Sequence, residues 1–244
     1  MKKAFSLLEL SIVIAVIAVL MASFSVATNL VDNATLMQSI SQIERHAKNI
    51  VVFRAKYGTY PGDYSNAYAS FGSACAGDDQ ASCDGDGDGL LEWNSGSDEA
   101  NESIKIFHHM YLADIMSEPI TDSSFGAGST DFSGASCSSA GSIVGKSTPT
   151  LEIENLTILL VDNEYFKVGN YRCGWPIFAG LTPRQAAKYD VKFDDGVRDQ
   201  GLIKGVDGVD VSSNDCISAT GNKYNLANSS RACYLNYHKF KGGL

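Results

Sequence analysis

Lys2-Lys3-Ala4-Phe5-Ser6-Leu7-Leu8-Glu9-Leu10-Ser11-Ile12-Val13-Ile14 opens an apolar stretch that continues to Phe24. Between Leu10 and Phe24 there is no charge, proline or glycine, and Ser11 and Ser23 are the only polar residues. From Phe5 to Phe24 the stretch has the ~20 residues that a helix needs to cross a bilayer. Lys2 and Lys3 in front of it favour an N-terminus left on the cytoplasmic side. Glu9 interrupts the pattern. An unpaired carboxylate in hydrocarbon costs on the order of several kcal/mol, so this one needs a partner or a task.

The helical pattern extends beyond the apolar stretch. Leu36, Ile40, Ile43, Ala47 and Ile50 recur at alternating spacings of four and three, an amphipathic stripe, with Glu44, Arg45 and Lys48 on the other side. No proline precedes Pro61 and no glycine precedes Gly58. The sequence therefore predicts one unkinked helix from about Phe5 to Lys56, roughly 75–80 Å long. Tyr57-Gly58-Thr59-Tyr60-Pro61-Gly62-Asp63 then ends it.

Three readings of the N-terminus compete: a simple signal anchor, a signal peptide cleaved at the small-residue site Ser25-Val26-Ala27, and a prepilin leader. The third is the specific one. Residues Lys2 to Ile14 resemble the N-terminus of type IV pilins and type II secretion pseudopilins. In that family a short basic leader ends in a small residue, prepilin peptidase cuts before a Phe that becomes N-methylated, and a Glu follows within the apolar helix. The resemblance implies cleavage and methylation at Ala4–Phe5, with Ala4 in place of the usual glycine, and an assembly role for Glu9. The amine created at Phe5 can pair with Glu9 of a neighbouring subunit, so both charges are neutralised only when subunits assemble in register. Phe53-Arg54-Ala55-Lys56-Tyr57 followed by Tyr60-Pro61-Gly62-Asp63-Tyr64 also looks like the helix-to-head junction of pilin-like proteins.

Cys83-Asp84-Gly85-Asp86-Gly87-Asp88-Gly89-Leu90 is the second informative segment. Oxygen ligands at alternate positions, with glycines allowing a tight backbone, match the front half of an EF-hand-like calcium loop. Asp84, Asp86 and Asp88 would supply carboxylates and Leu90 a carbonyl. The EF-hand pattern then departs, because Ser95 stands where its closing Glu belongs. Closure by Glu92, Asp98, Glu99 or Glu102 is the alternative, and a solvated acidic turn without an ion is the competing reading. Oxygen-only ligation disfavours zinc. Calcium bound in head loops of several pilins and pseudopilins is what the resemblance adds.

The balance of 19 basic against 28 acidic residues, net −9, argues against a general nucleic-acid binder. All six cysteines, Cys75, Cys83, Cys137, Cys173, Cys216 and Cys233, lie beyond the apolar helix and read as disulfides in an oxidising compartment. Of the ~15 possible pairings, local spacing favours Cys75–Cys83 and Cys216–Cys233, leaving Cys137–Cys173. A helix is expected over 101–116, with apolar positions Ile104, Phe107, Tyr111 and Ile115. His108 and His109 on it fit packing or capping roles better than metal binding. Residues 121–150 read as a long surface loop, Leu156–Val161 as a core strand, and Thr182-Pro183 as a helix start running to about Phe193 and closing near Gly196. Asp194 and Asp195 are a weaker candidate for a second cation. Leu202–Val206 and Ala232–Phe240 are expected to be antiparallel edge strands. No GxSxG is present, and Gly141-Ser142-Ile143-Val144-Gly145-Lys146-Ser147 is one residue short of a phosphate loop, so an enzyme is not expected.

The expected architecture is α+β and type IV pilin-like: a long N-terminal helix, membrane-spanning in its first half, packed on an antiparallel sheet head with disulfides. Its parts would be a leader (1–4), a transmembrane and assembly helix (5–26), an amphipathic extension (27–56) and an extracytoplasmic head (57–244). The expected function is a minor pilin or pseudopilin, a structural subunit of a type IV pilus or type II secretion filament. It would be held by a single pass in the bacterial inner membrane, with prepilin peptidase and other subunits as its partners. A secreted or tip-located calcium-binding or adhesin-like module is the alternative.

Overall fold

The computed structural model describes residues 7–75, 83–91, 102–120, 148–151, 156–161, 163–172 and 175–239. Helix α1 runs without a break over Leu7–Tyr57, 51 residues and about 76 Å of rise. The absence of proline and glycine from its interior is the local reason for that continuity. Gly58 follows at φ 79° with its amide donating to the Arg54 carbonyl, a left-handed stop that a glycine adopts without steric cost.

The expected stripe is the face α1 buries. Leu36, Ile40, Ile43, Ala47 and Ile50 are all buried, and Phe53 continues the row into the core. Glu44 does not stand free on the opposite side. It is half-buried on the flank, accepting from the Tyr237 hydroxyl and from Lys239 Nζ at 2.8–3.0 Å, which ties α1 to the far end of the sheet. Arg45 pairs with Glu118.

The first part of α1 is different. Its apolar side chains face outward, from Leu7 (88% exposed) to Phe24 (71%). Among the described residues no helix is long and apolar enough to cross a membrane. The single-pass expectation therefore finds no support in the described helix.

The head is α+β with an antiparallel sheet. Strands β1 (Thr157–Val161), β2 (Tyr165–Arg172), β3 (Trp175–Phe178), β4 (Ile203–Asp207) and β5 (Cys233–Tyr237) form it in the order β1-β2-β5-β4, with β3 also paired to β2. Register runs Thr157 opposite Gly169 to Val161 opposite Tyr165, Phe166 opposite Tyr237, and Ile203 opposite Tyr237. Two sequence expectations are corrected here. The strand around Cys233 is interior, lying between β2 and β4. The long central strand β2 was not foreseen: Phe166 and Val168 alternate inward in it, but Gly169-Asn170 disguises the pattern as a turn.

Short helix α2 (Ala67–Phe71) leads into a 3-10 turn, Gly72–Ala74. Helix α3 (Glu102–Leu112) packs on α1 and β1, and helix α4 (Pro183–Phe193) on β4 and β5. The buried face of α3 is Ile106, Phe107 and Met110, rotated from the expected row so that Tyr111 is exposed. Helix α4 starts as expected, with a capping box in which Thr182 and Gln185 satisfy each other's backbone amides and Pro183 sits in the first turn. One continuous core joins the α1 stripe, α3 and both inner strands. Disulfides Cys75–Cys83 and Cys216–Cys233 are both formed. Cys137 and Cys173, the loop over 121–147 and the phosphate-loop-like segment lie outside the described residues.

Candidate functional site

The end of α1, the Asp-Gly loop and the start of α3 converge on one point. Gly62, at φ 100°, turns the chain so closely against α3 that a β-carbon there would overlap the Glu102 carbonyl oxygen. A β-carbon on Gly85 would likewise overlap the Gly62 carbonyl and the Asp63 backbone. His109 sits beneath the turn. Its Nδ1 accepts from the Gly62 amide at 2.9 Å, so its Nε2 carries the proton and donates to the Cys83 carbonyl at 3.0 Å. Burial holds its pKa down at about 3, keeping the ring neutral and both bonds intact. This is a packing role, as the sequence implied. Although Cys75, Cys83 and His109 lie close together, both thiols are consumed by the disulfide.

Above that turn, one carboxylate oxygen from each of Asp63, Asp86 and Glu102 lies within 4.8 Å of the others. Asp63 and Glu102 are buried and Asp86 is exposed. Asp63 Oδ2 accepts from Thr59 Oγ1 at 2.7 Å and from the Gly89 amide at 3.1 Å. Its Oδ1 is buried and, among the described residues, has no hydrogen-bond partner. Burial pushes the Asp63 carboxyl above its ordinary value. Glu102 Oε1 accepts from the Asp86 amide at 2.9 Å.

Of the ligands expected from the sequence, the structure brings two together among the described residues, Asp86 and Glu102. Asp84 is turned away, its Oδ1 accepting from the Tyr68 amide at the start of α2 and its carbonyl accepting from Lys105 Nζ. Asp88 is exposed and caps its own turn, accepting from the Leu90 amide at 2.8 Å. Leu90 is exposed beyond it. Glu92, with Asp98 and Glu99, lies outside the described residues. Asp63, the third member of the group, is not among the ligands expected from the sequence, because 23 positions separate it from Asp86. The available signal was its place in Pro61-Gly62-Asp63, the turn at which α1 must end.

The Asp190, Asp194 and Asp195 carboxylates also approach one another, yet each is taken up by donors. Asp190 accepts from the Gly196 amide and the Tyr224 hydroxyl, Asp194 from the Leu202 and Ile203 amides, and Asp195 from the Val197 amide. These bonds close the end of α4 onto β4, a structural task.

At the N-terminus, Glu9 lies exposed in the first turn of α1, among outward-facing apolar residues. Ala4 and Phe5 lie outside the described residues. The alternative cleavage site at Ser25–Ala27 falls inside the continuous helix. A groove beside α1 combines apolar Leu36, Val191 and Leu226 with basic Arg184, Lys188 and Lys192. In comparisons with family models, curated proteins and solved structures, nothing matches the chain.

Proposed function

We propose that this protein is a structural subunit of a type IV pilin-like filament, a minor pilin or pseudopilin, assembled through the exposed first part of α1. The observation that carries this reading is the division of one continuous helix into two halves. The half from Leu36 to Phe53 buries its apolar stripe in its own head, while from Leu7 to Phe24 the described large apolar side chains are 48–88% exposed. Exposed Leu, Ile, Val and Phe on that scale belong against lipid or against like helices. A helix with no head packing at one end is free to supply that contact repeatedly.

Glu9 gives the packing a register. With cleavage by prepilin peptidase between Ala4 and Phe5, the new amine at Phe5 and the Glu9 carboxylate of the next subunit neutralise each other in an apolar setting. Insertion in the inner membrane before assembly, with the disulfide-bonded head outside the cytoplasm, completes the reading. The two disulfides support an oxidising compartment for the head.

The test is Glu9→Gln in a host that expresses the filament machinery. Cleavage at Phe5 should persist, while incorporation into sheared filaments should fall at least about tenfold, the consequence of leaving the partner amine without its counter-charge. Incorporation equal to that of the wild type would remove the assembly role of Glu9.

A further inference from the structure

We infer that Asp63, Asp86 and Glu102 form a calcium site that clamps the end of α1 to the Asp-Gly loop and to the first turn of α3. The three oxygens lie within 4.8 Å of one another. Two oxygens on opposite sides of one calcium ion are ~4.6–5.2 Å apart, twice its 2.3–2.6 Å bond length. Three carboxylates this close repel one another strongly, and two of them, Asp63 and Glu102, are withdrawn from water. A divalent cation removes that repulsion.

The acidic cluster does not carry the inference alone. Asp63 is fully buried, and among the described residues its Oδ1 has no donor although Oδ2 has two. A buried carboxylate oxygen left without a donor forfeits its solvation, and protein structures rarely leave one so. A bond to a cation restores what it lacks. Oxygen-only ligation selects a hard ion, and calcium's variable geometry suits ligands drawn from three separate segments better than the strict octahedron of magnesium. The closeness of Gly62 and Gly85 to their neighbours holds those segments in place.

This site differs from an EF-hand-like loop in a way that can be measured. In the loop reading, Asp84 and Asp88 are ligands and Asp63 is not. In the structure, Asp84 and Asp88 accept from the Tyr68 and Leu90 amides and do not join the converging group, whereas Asp86, whose Oδ1 also accepts from the Asp88 amide at 3.0 Å, has an oxygen within 4.8 Å of those of Asp63 and Glu102. The site also stands independently of the filament reading, because its residues all lie at the base of the head.

The test uses the full chain in detergent, with calcium chloride added after chelation and the melting midpoint of the head as the readout. Millimolar calcium should raise that midpoint by about 5 °C, and the same concentration of magnesium should raise it less. Asp86→Asn, an isosteric change at an exposed position, should weaken apparent calcium affinity by more than the ~10-fold that even outer-sphere changes cost. Asp63→Asn and Glu102→Gln should do the same, and Asp88→Asn should leave the affinity unchanged. No calcium-dependent shift in the wild-type chain would overturn the site. Equal losses in Asp88→Asn and Asp86→Asn would overturn this ligand set in favour of the loop, and an equal response to magnesium would overturn the assignment to calcium.

Discussion

His109 shows how one side chain can organise a junction without doing chemistry. It receives the Gly62 amide on one nitrogen and gives its proton to the Cys83 carbonyl from the other, bridging the end of α1 to the first disulfide. Only the neutral ring can do both. Its pKa is held at about 3, first by burial, against an ordinary value of 6.5. His46, buried against Phe107, is likewise held at about 4, so its 3.5 Å approach to Glu118 is not a charged pair near neutral pH. In both cases the unfolded chain binds the proton more readily than the folded one. The stability they contribute is therefore fully present above pH 6.5 and is lost as pH falls from 6.5 toward 3–4. Urea unfolding of the head should show a midpoint that drops over this window, and His109→Gln should flatten the drop. A midpoint constant between pH 7 and pH 4.5 would contradict the neutral, bridging His109.

At the scale of elements, α1 is one helix with two environments, and substitutions should separate them. Ile43 is buried, so Ile43→Ala should destabilise the head by about 2–5 kcal/mol, the ordinary loss for a large aliphatic side chain cut back in a core. Leu20 is exposed, so Leu20→Ala should change head stability by less than about 0.5 kcal/mol and reduce filament incorporation instead. Equal destabilisation by the two would mean that the first part of α1 packs on the head. The legibility of these elements follows from the range of the interactions behind them. The α1 stripe, the Thr182 cap and the β1 run are encoded by neighbours three or four residues apart or by continuous apolarity, and they were readable. Strand β2 was not, because Gly169 and Asn170 carry turn chemistry that pairing with β1, β3 and β5 overrides. The flank position of Glu44 was also hidden, since its partners Tyr237 and Lys239 lie almost the whole head away in sequence.

For the whole molecule, the head hangs from α1 through a core shared with α3 and the sheet, and the two local disulfides fasten loops around it. The same contrast of range governs the acidic site. Alternating Asp and Gly announced a cation loop, but which carboxylates meet depends on Gly62 and Gly85 drawing the α1 terminus, the loop and α3 together. No local spacing contains that closure, which is why the meeting of Asp63 with Asp86 and Glu102 is not legible in the sequence. The N-terminal pattern remains the most direct link from sequence to function, and a single measurement addresses it: the intact mass of the protein from a host expressing prepilin peptidase. The account predicts a chain beginning at N-methylated Phe5. A chain beginning at Met1 or at Thr28 would contradict it, the first leaving a plain anchor and the second a secreted domain in which Glu9 has no assembly role.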